Sequence, residues 1–375
     1  MQSKKEPKCD GIESRISERV MNMKKYEPGS GTEEIKEKYD LDRVIKLSSN
    51  ENPLGCAGPA RECIEGLKFN VARYPDGDCR VLRQELADFY DLEVENIVAG
   101  NGSDQIIDLA LQLVARPGDE VVMAATTFSQ YSLTCQVQDL EEVKVPLDEN
   151  FRHDLKAMKE AVGPETAAVF ICDPNNPTGT TVKASEIRDF LDYVPSDVLV
   201  VIDQAYREYV TAPDYFQGQG LLDEYPNMLL LRTFSKIYGL AGLRVGYGLG
   251  SPQVIEHMNC IRNPFNVNSL AQAAAAGALN CQDHVERCRE MNFRQRLYFQ
   301  NQFDKMGIEY IPSQANFILV RTGLKPEEAF EHFASRGVVV RTTESFGLEG
   351  WIRFTLPPDD WSDFVLEAFG DLARM

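Results

Sequence analysis

"TAAVFICDPNNPTGT" (Thr166–Thr180), "ASEIRDFLDYV" (Ala184–Val194) and "VLVVIDQAY" (Val198–Tyr206) follow one another along the chain. The first and third open on short, β-rich apolar runs, and the second has the spacing of an amphipathic helix. Apolar strands without alternation, joined through a helix, are buried on both faces and pair in parallel. In such sheets a ligand crevice opens at the carboxyl ends of the strands. Here those ends carry Asn175, Asn176 and Asp203.

The same alternation runs outward from about 80 to 250. "VLRQELADFY" and "SDQIIDLALQLV" have helical spacing, and "ENIVAG", "EVVMAA", "VKVPL", "NMLLLRT" and "LRVGYGLG" read as strands. Beyond about 265 the pattern changes. A long helical stretch, "SLAQAAAAGALNCQDHVERCREMNFRQRLYFQNQF", is followed by short strands ("ANFILV", "GVVVRT", "WIRFTL") between helices ("PEEAFEHFASR", "DFVLEAFGDLAR"). The expectation is an α/β chain in three parts. These are an N-terminal arm over 1–45, partly packed with the small domain, a large domain over 46–265 and a smaller α+β domain over 266–375. Within the arm, "TEEIKEKY" reads as a helix with Thr32 as N-cap.

Composition narrows the function. The 375 residues are 43% hydrophobic, with 39 basic and 58 acidic side chains and a formal charge of −19. Such a field repels nucleic acid and anionic lipid. Nine cysteines, none in C-x-x-C spacing, read as reduced thiols. The four histidines lack metal-ligand spacing, so no metal is expected. No apolar signal core or bilayer-length run is present, and the expected compartment is the cytoplasm.

Two further stretches carry chemistry. In "LRTFSKIYGLAGLRVGY" (Leu231–Tyr247), Lys236 stands among apolar residues, with Thr233, Ser235 and Arg244 nearby. A desolvated amine near a cation has a lowered pKa and serves as nucleophile and base. A lysine at a domain edge whose stem lies on apolar surface fits the same pattern. In "AGNGSDQII", Gly102, Ser103 and Asp104 open a helix after a strand, which suits a phosphate and equally an ordinary N-cap. Asp203 ends a buried strand and needs a partner, either a pyridinium nitrogen or an arginine. Phe128 fits a stacking ring or the core. Arg341 and Arg353 lie in apolar strands, where a substrate carboxylate or a buried acid would satisfy them. A nicotinamide-binding reading fails, because "GYGLGS" lacks G-x-G-x-x-G spacing.

Together these are the parts that pyridoxal phosphate (PLP) requires. "SSNENPLG", "RYPDG", "GNGSDQII", "DPNNPTGT", "LRTFSKIYGLAGLRVGY", "NPFNVNSLAQAAA", "SQANFILV" and "WIRFT" appear in order from Tyr26 to the C-terminus. The chain resembles the fold-type I PLP-dependent aminotransferases and, within them, the histidinol-phosphate aminotransferase family. The resemblance implies a large domain with a mostly parallel seven-stranded sheet and a smaller α+β domain. It also implies transamination of histidinol phosphate with 2-oxoglutarate or glutamate, in histidine biosynthesis.

By position, the resemblance gives Lys236 the covalent link to the cofactor and the proton transfer. Asp203 takes the ring nitrogen, and Asn176 and Tyr206 the ring hydroxyl. Phe128 stacks on the ring. Gly102, Ser103, Asp104, Thr233, Ser235 and Arg244 surround the cofactor phosphate. Tyr74 reaches the phosphate in the neighbouring subunit, which implies a homodimer. Arg353 takes the α-carboxylate, and Tyr26 and Arg341 lie near the substrate phosphate. The chain departs from the family pattern at Gln105, Ala125, Thr126, Gln204 and "IRFTLPP". Aromatic amino-acid aminotransferases and threonine-phosphate decarboxylases share this framework and stand as alternatives. A non-catalytic regulator on the fold would carry a DNA-binding extension, and the short arm offers none.

Overall fold

The computed structural model describes residues 11–23, 31–66 and 72–372. Seven strands form the large sheet: β1 (Ile97–Gly100), β2 (Glu120–Ala124), β3 (Glu141–Val145), β4 (Thr166–Cys172), β5 (Leu199–Asp203), β6 (Met228–Thr233) and β7 (Gly246–Gly250). Their order is β1-β7-β6-β5-β4-β2-β3. β7 runs antiparallel to both of its neighbours, and every other adjacent pair is parallel. The mostly parallel seven-stranded sheet is as expected.

Period-two geometry divides each central strand between two cores. Val169, Ile171, Val200, Ile202 and Leu230 face one helical layer. Ala168, Phe170, Val201, Leu229 and Leu231 face the other. Every residue of β4, β5 and β6 is therefore buried. Because both faces are covered, only the strand ends remain for a site.

The second domain has a four-stranded antiparallel sheet ordered Arg341–Thr342, Trp351–Thr355, Phe317–Arg321, Tyr310–Ile311. An apolar cluster built on Phe299, Phe303, Phe333, Phe354 and Phe369 supports it. Ile45–Lys46 pairs in parallel with Val338–Val339 at its margin.

We propose that the break expected at 265/266 falls later. The alanine-rich helix Ser269–Leu279 buries Ala271, Ala274, Ala275 and Ala278 in the same cluster as the large sheet. A Cβ on Gly277 would stand 2.9 Å from Cys63 Sγ, so small residues bring this helix close to helix Gly58–Gly66. We place the division after this helix, within the run of Gln282–Met306. The arm also divides. Arg19 pairs with Asp139 and Glu141 at the large domain's edge. Ile35, on helix Thr32–Tyr39, packs with Ala334 and Val339 of the small domain. Gly31 is the N-cap of that helix and Thr32 its first residue. No helix among the described residues is long and apolar enough to cross a membrane.

Candidate active site

A cavity of about 320 Å³ opens where the carboxyl ends of β4, β5 and β6 meet the small domain. It brings together Ser103, Asp104, Phe128, Asn176, Asp203, Tyr206, Thr233, Ser235, Lys236, Arg244, Arg341 and Arg353. Gly102 stands at the start of helix Gly102–Val114 and is not among the lining residues, and neither is Tyr74. Tyr74 is 81% exposed and stacks on Phe265 with ring centroids 4.6 Å apart. Tyr26 lies outside the described residues.

The anion end is built from backbone. Helix Gly102–Val114 begins beside β7, and the side chain of its N-cap residue, Asn101, makes no capping bond to the first turn. Its first-turn N–H groups and dipole therefore favour a negative group. Neither Ser103 nor Asp104 is the cap; that position belongs to Asn101. Two glycines allow the close approach. Gly102 has φ +78°, and a Cβ there would stand 2.7 Å from Arg244 Nη2. A Cβ on Gly246 would stand 2.5 Å from Ser103 N. Arg244 Nη2 donates to Asp104 Oδ2 (2.9 Å) and Nη1 to Ser235 Oγ (3.5 Å), which aims the guanidinium across the helix start. Thr233 Oγ1 accepts from Ser235 N (3.1 Å).

Asp203 stands at the carboxyl end of β5 and is buried. Burial raises its carboxyl to about 6, although Tyr131 Oη donates to Oδ2 (2.8 Å) and Ala205 N to Oδ1 (3.1 Å). A cationic partner would offset that cost. Phe128 meets Tyr131 edge-on at 5.6 Å and lines the cavity with its own ring. Lys236 is held at the cavity wall, its Nζ donating to Ser49 O (3.4 Å). Burial lowers this amine to about 8, and the nearby Arg353 guanidinium pushes the same way. A large fraction of it is neutral near pH 8, as a nucleophile or base requires.

The two loop asparagines have different uses. Asn175 is spent on the fold, taking Thr127 Oγ1 and giving to Thr126 O and Thr178 Oγ1. Asn176 lines the cavity and accepts from Arg353 Nη1. Arg353 Nη2 donates to Ser48 O (2.7 Å). Arg341 lines the cavity mouth, with Nη2 3.4 Å from Ser345 Oγ.

Sequence reasoning missed Ser48, Ser49 and Asn50 as site residues, and Tyr131 behind Asp203. It also missed Phe330 and Phe346, which the small domain brings over the cavity. Thr126 Oγ1 donates to Phe346 O (3.0 Å), tying the two domains together at that edge.

The departure at Gln204 has a physical reason. Its Oε1 accepts from Arg232 Nε and Nη2 (3.1 and 2.9 Å), and its Nε2 donates to Phe216 O (2.7 Å). A glutamate would serve the arginine but oppose that carbonyl. Gln105 Oε1 likewise accepts from Asn101 N and Asn266 Nδ2.

A buried amine, a desolvated carboxylate at a strand end and an anion cradle at a helix start define a two-domain α/β group-transfer enzyme. Residues 42–368 match the model of the aminotransferase class I and II family. The chain belongs to that family. It is 43% identical to the histidinol-phosphate aminotransferase of Moorella thermoacetica, over 93% of this chain and 89% of the other. The enzyme of the same name from Brevibacillus brevis is 41% identical, over 95% and 97%. The crystal structure of histidinol-phosphate aminotransferase from Sinorhizobium meliloti in complex with pyridoxal-5'-phosphate superposes with a TM-score of 0.86 at 26% identity, covering 96% and 98%. Aspartate aminotransferase from Thermus thermophilus shares the fold at 22% identity, with a TM-score of 0.81 over 95% and 99%.

Proposed function

We propose that the chain is a PLP-dependent histidinol-phosphate aminotransferase, acting with 2-oxoglutarate and glutamate as the second pair. The observation that carries this reading is the cavity itself. It sets a partly neutral buried amine, Lys236, between an anion cradle at Gly102–Asp104 and two arginines of the small domain. The residues fit PLP. The helix start and Arg244 suit its phosphate, Asp203 suits a protonated ring nitrogen, and Phe128 offers a ring face.

When bound, PLP supplies the electron sink for a carbanion at the substrate's Cα. Lys236 Nζ would hold the cofactor covalently and, once the substrate's amine has displaced it, the freed amine would take the proton from Cα and deliver it to the cofactor. Asp203 keeps a proton on the ring nitrogen. Asn176 spends its Oδ1 on Arg353 and keeps Nδ2 as a donor for the ring oxygen, beside Tyr206. Arg353 binds the carboxylate of glutamate or 2-oxoglutarate. Arg341, with Tyr26, binds the phosphate of histidinol phosphate, which has an alcohol where an amino acid carries its carboxylate. Phe330 and Phe346 add apolar lining from the small-domain side.

The exposed Tyr74–Phe265 pair supports a homodimer in which Tyr74 reaches the partner's cradle. The negative surface and the lack of a membrane-length helix among the described residues support a cytoplasmic enzyme.

The test is spectroscopic and kinetic. Protein reconstituted with PLP should show an absorbance band that histidinol phosphate bleaches and 2-oxoglutarate restores, with glutamate formed. Lys236→Ala should keep the fold and lose both the band and turnover. A Lys236→Ala protein that transaminates at the wild-type rate would rule out this assignment. Release of CO₂ from threonine phosphate, without amino transfer, would favour the decarboxylase.

A further inference from the structure

We propose that Asn50 is a positioning residue that sets the direction of Tyr206's hydroxyl proton, turning it toward the occupant of the cavity. This rests on the reading of that occupant as PLP, whose ring oxygen is the acceptor.

The direction follows from donor and acceptor chemistry. Tyr206 is buried, and Asn50 Nδ2 donates to its Oη (3.0 Å). An amide nitrogen has only protons to offer, so the bond occupies a lone pair of the phenol oxygen. The phenol must then give its own proton elsewhere, and Tyr206 lines the cavity. Its ring is buried and packed. Phe317 meets it edge-on at 5.1 Å, and Lys236 Nζ lies 5.5 Å from its centroid.

Asn50 is itself pinned from behind. Its N–H donates to Thr355 Oγ1 (2.9 Å), and its carbonyl accepts from Asn316 Nδ2 (3.1 Å). It is buried and holds a left-handed φ of 55°, a conformation that Asn and Asp tolerate and most residues do not. Each of the three residues from Ser48 to Asn50 holds a different site group. Ser48 O takes Arg353, Ser49 O takes Lys236, and the Asn50 side chain holds Tyr206. Thr355, the anchor of Asn50, lies two residues from Arg353 on the same strand. The strap thus connects the arginine strand of the small domain to the phenol of the large domain.

The test reverses the polarity at one atom. Asn50→Asp keeps shape and backbone tolerance, but a carboxylate oxygen would take the phenol proton for itself. Asn50→Gly keeps the backbone and leaves the phenol free to donate. The readout is the absorbance titration of bound PLP without substrate, for both variants, in the wild-type and Tyr206→Phe backgrounds. Asn50→Asp should weaken the acid dissociation of the bound cofactor about ten- to a hundredfold, as expected for loss of one charge-assisted hydrogen bond. Asn50→Gly should shift it less. In the Tyr206→Phe background most of the Asn50→Asp shift should vanish, because the two changes act through one bond. An equal shift in both backgrounds would be through-space charge alone and would overturn the proposal. So would equal shifts for Asn50→Asp and Asn50→Gly. A wild-type chain that takes up no PLP would overturn the functional reading and this inference with it. A wild-type titration matched by Asn50→Asp would overturn this inference alone.

Discussion

Asp173 offers the sharpest quantitative test of how burial shapes this site. It ends "FICD" at the carboxyl end of β4 and is fully buried. Oδ1 accepts from Val182 N (3.1 Å), while Oδ2 is buried without a hydrogen-bond partner. Burial raises the carboxyl to about 8. The folded protein therefore holds a proton here that the unfolded chain releases near pH 3.9. Between those values the native state binds more protons than the unfolded state, so stability falls as pH rises toward 8. At pH 7 the cost is about 1.4 × 3 ≈ 4 kcal/mol. Asp173→Asn removes this linkage and keeps the acceptor for Val182. It leaves an amide N–H where Oδ2 finds no partner, at about 1–3 kcal/mol. The net gain should be about 1–3 kcal/mol at pH 7 and near zero or negative at pH 5, where the linkage is only about 1.5 kcal/mol. Urea unfolding at fixed protein and PLP concentration, at half-unit steps from pH 5 to 7.5, measures the difference through the midpoints. The advantage should grow by about 1.4 kcal/mol per pH unit. A difference that stays flat across this range would refute the argument that Asp173 is buried as the neutral acid.

Three substitutions test the site directly. Asp203→Asn should raise the stability of the protein without PLP above pH 6, since its folded carboxyl near 6 is also raised by burial and costs stability as pH rises through that value. In the loaded enzyme it should lower kcat at least a hundredfold, and full turnover would remove the ring-nitrogen assignment. Arg341→Ala should raise KM for histidinol phosphate about ten- to a hundredfold and barely affect an unphosphorylated aromatic amino acid, whereas Arg353→Ala should harm every carboxylate substrate. Equal losses for both donors in Arg341→Ala would shift the preferred donor to the aromatic amino acid.

The parts of this molecule legible in its sequence are those that depend on local pattern. Apolar strands ending in "CD", "ID" and "RT" specify a buried parallel sheet, and polar residues at such ends have only the crevice to face. Asp203, Asn176 and Lys236 share one cavity, although the strand-end pattern left each open to a structural reading and the family resemblance supplied the roles. We read helix Ser269–Leu279 with the large domain, although its alanines resemble the start of a new helical domain. Their small size instead serves close packing on helix Gly58–Gly66, a partner more than 200 residues earlier. Asn175 and Asn176 are chemically identical and adjacent, yet one staples a loop and the other faces the cavity, a choice made by loop geometry.

Asn50 marks the limit more clearly. "SSNENPLG" advertises a turn, but its contacts are to Tyr206, Thr355 and Asn316, which lie 156 to 305 positions away. What matters there is which group gives the proton and which receives it. Asparagine and aspartate read almost alike in a turn, and only the fold reveals that a donor is required beside the phenol. The same distinction separates Gln204 from a glutamate, since its amide must give to Phe216 O while it receives from Arg232. In both places the fold has a carbonyl or phenol oxygen that needs a proton, and an ionised carboxylate has none to offer.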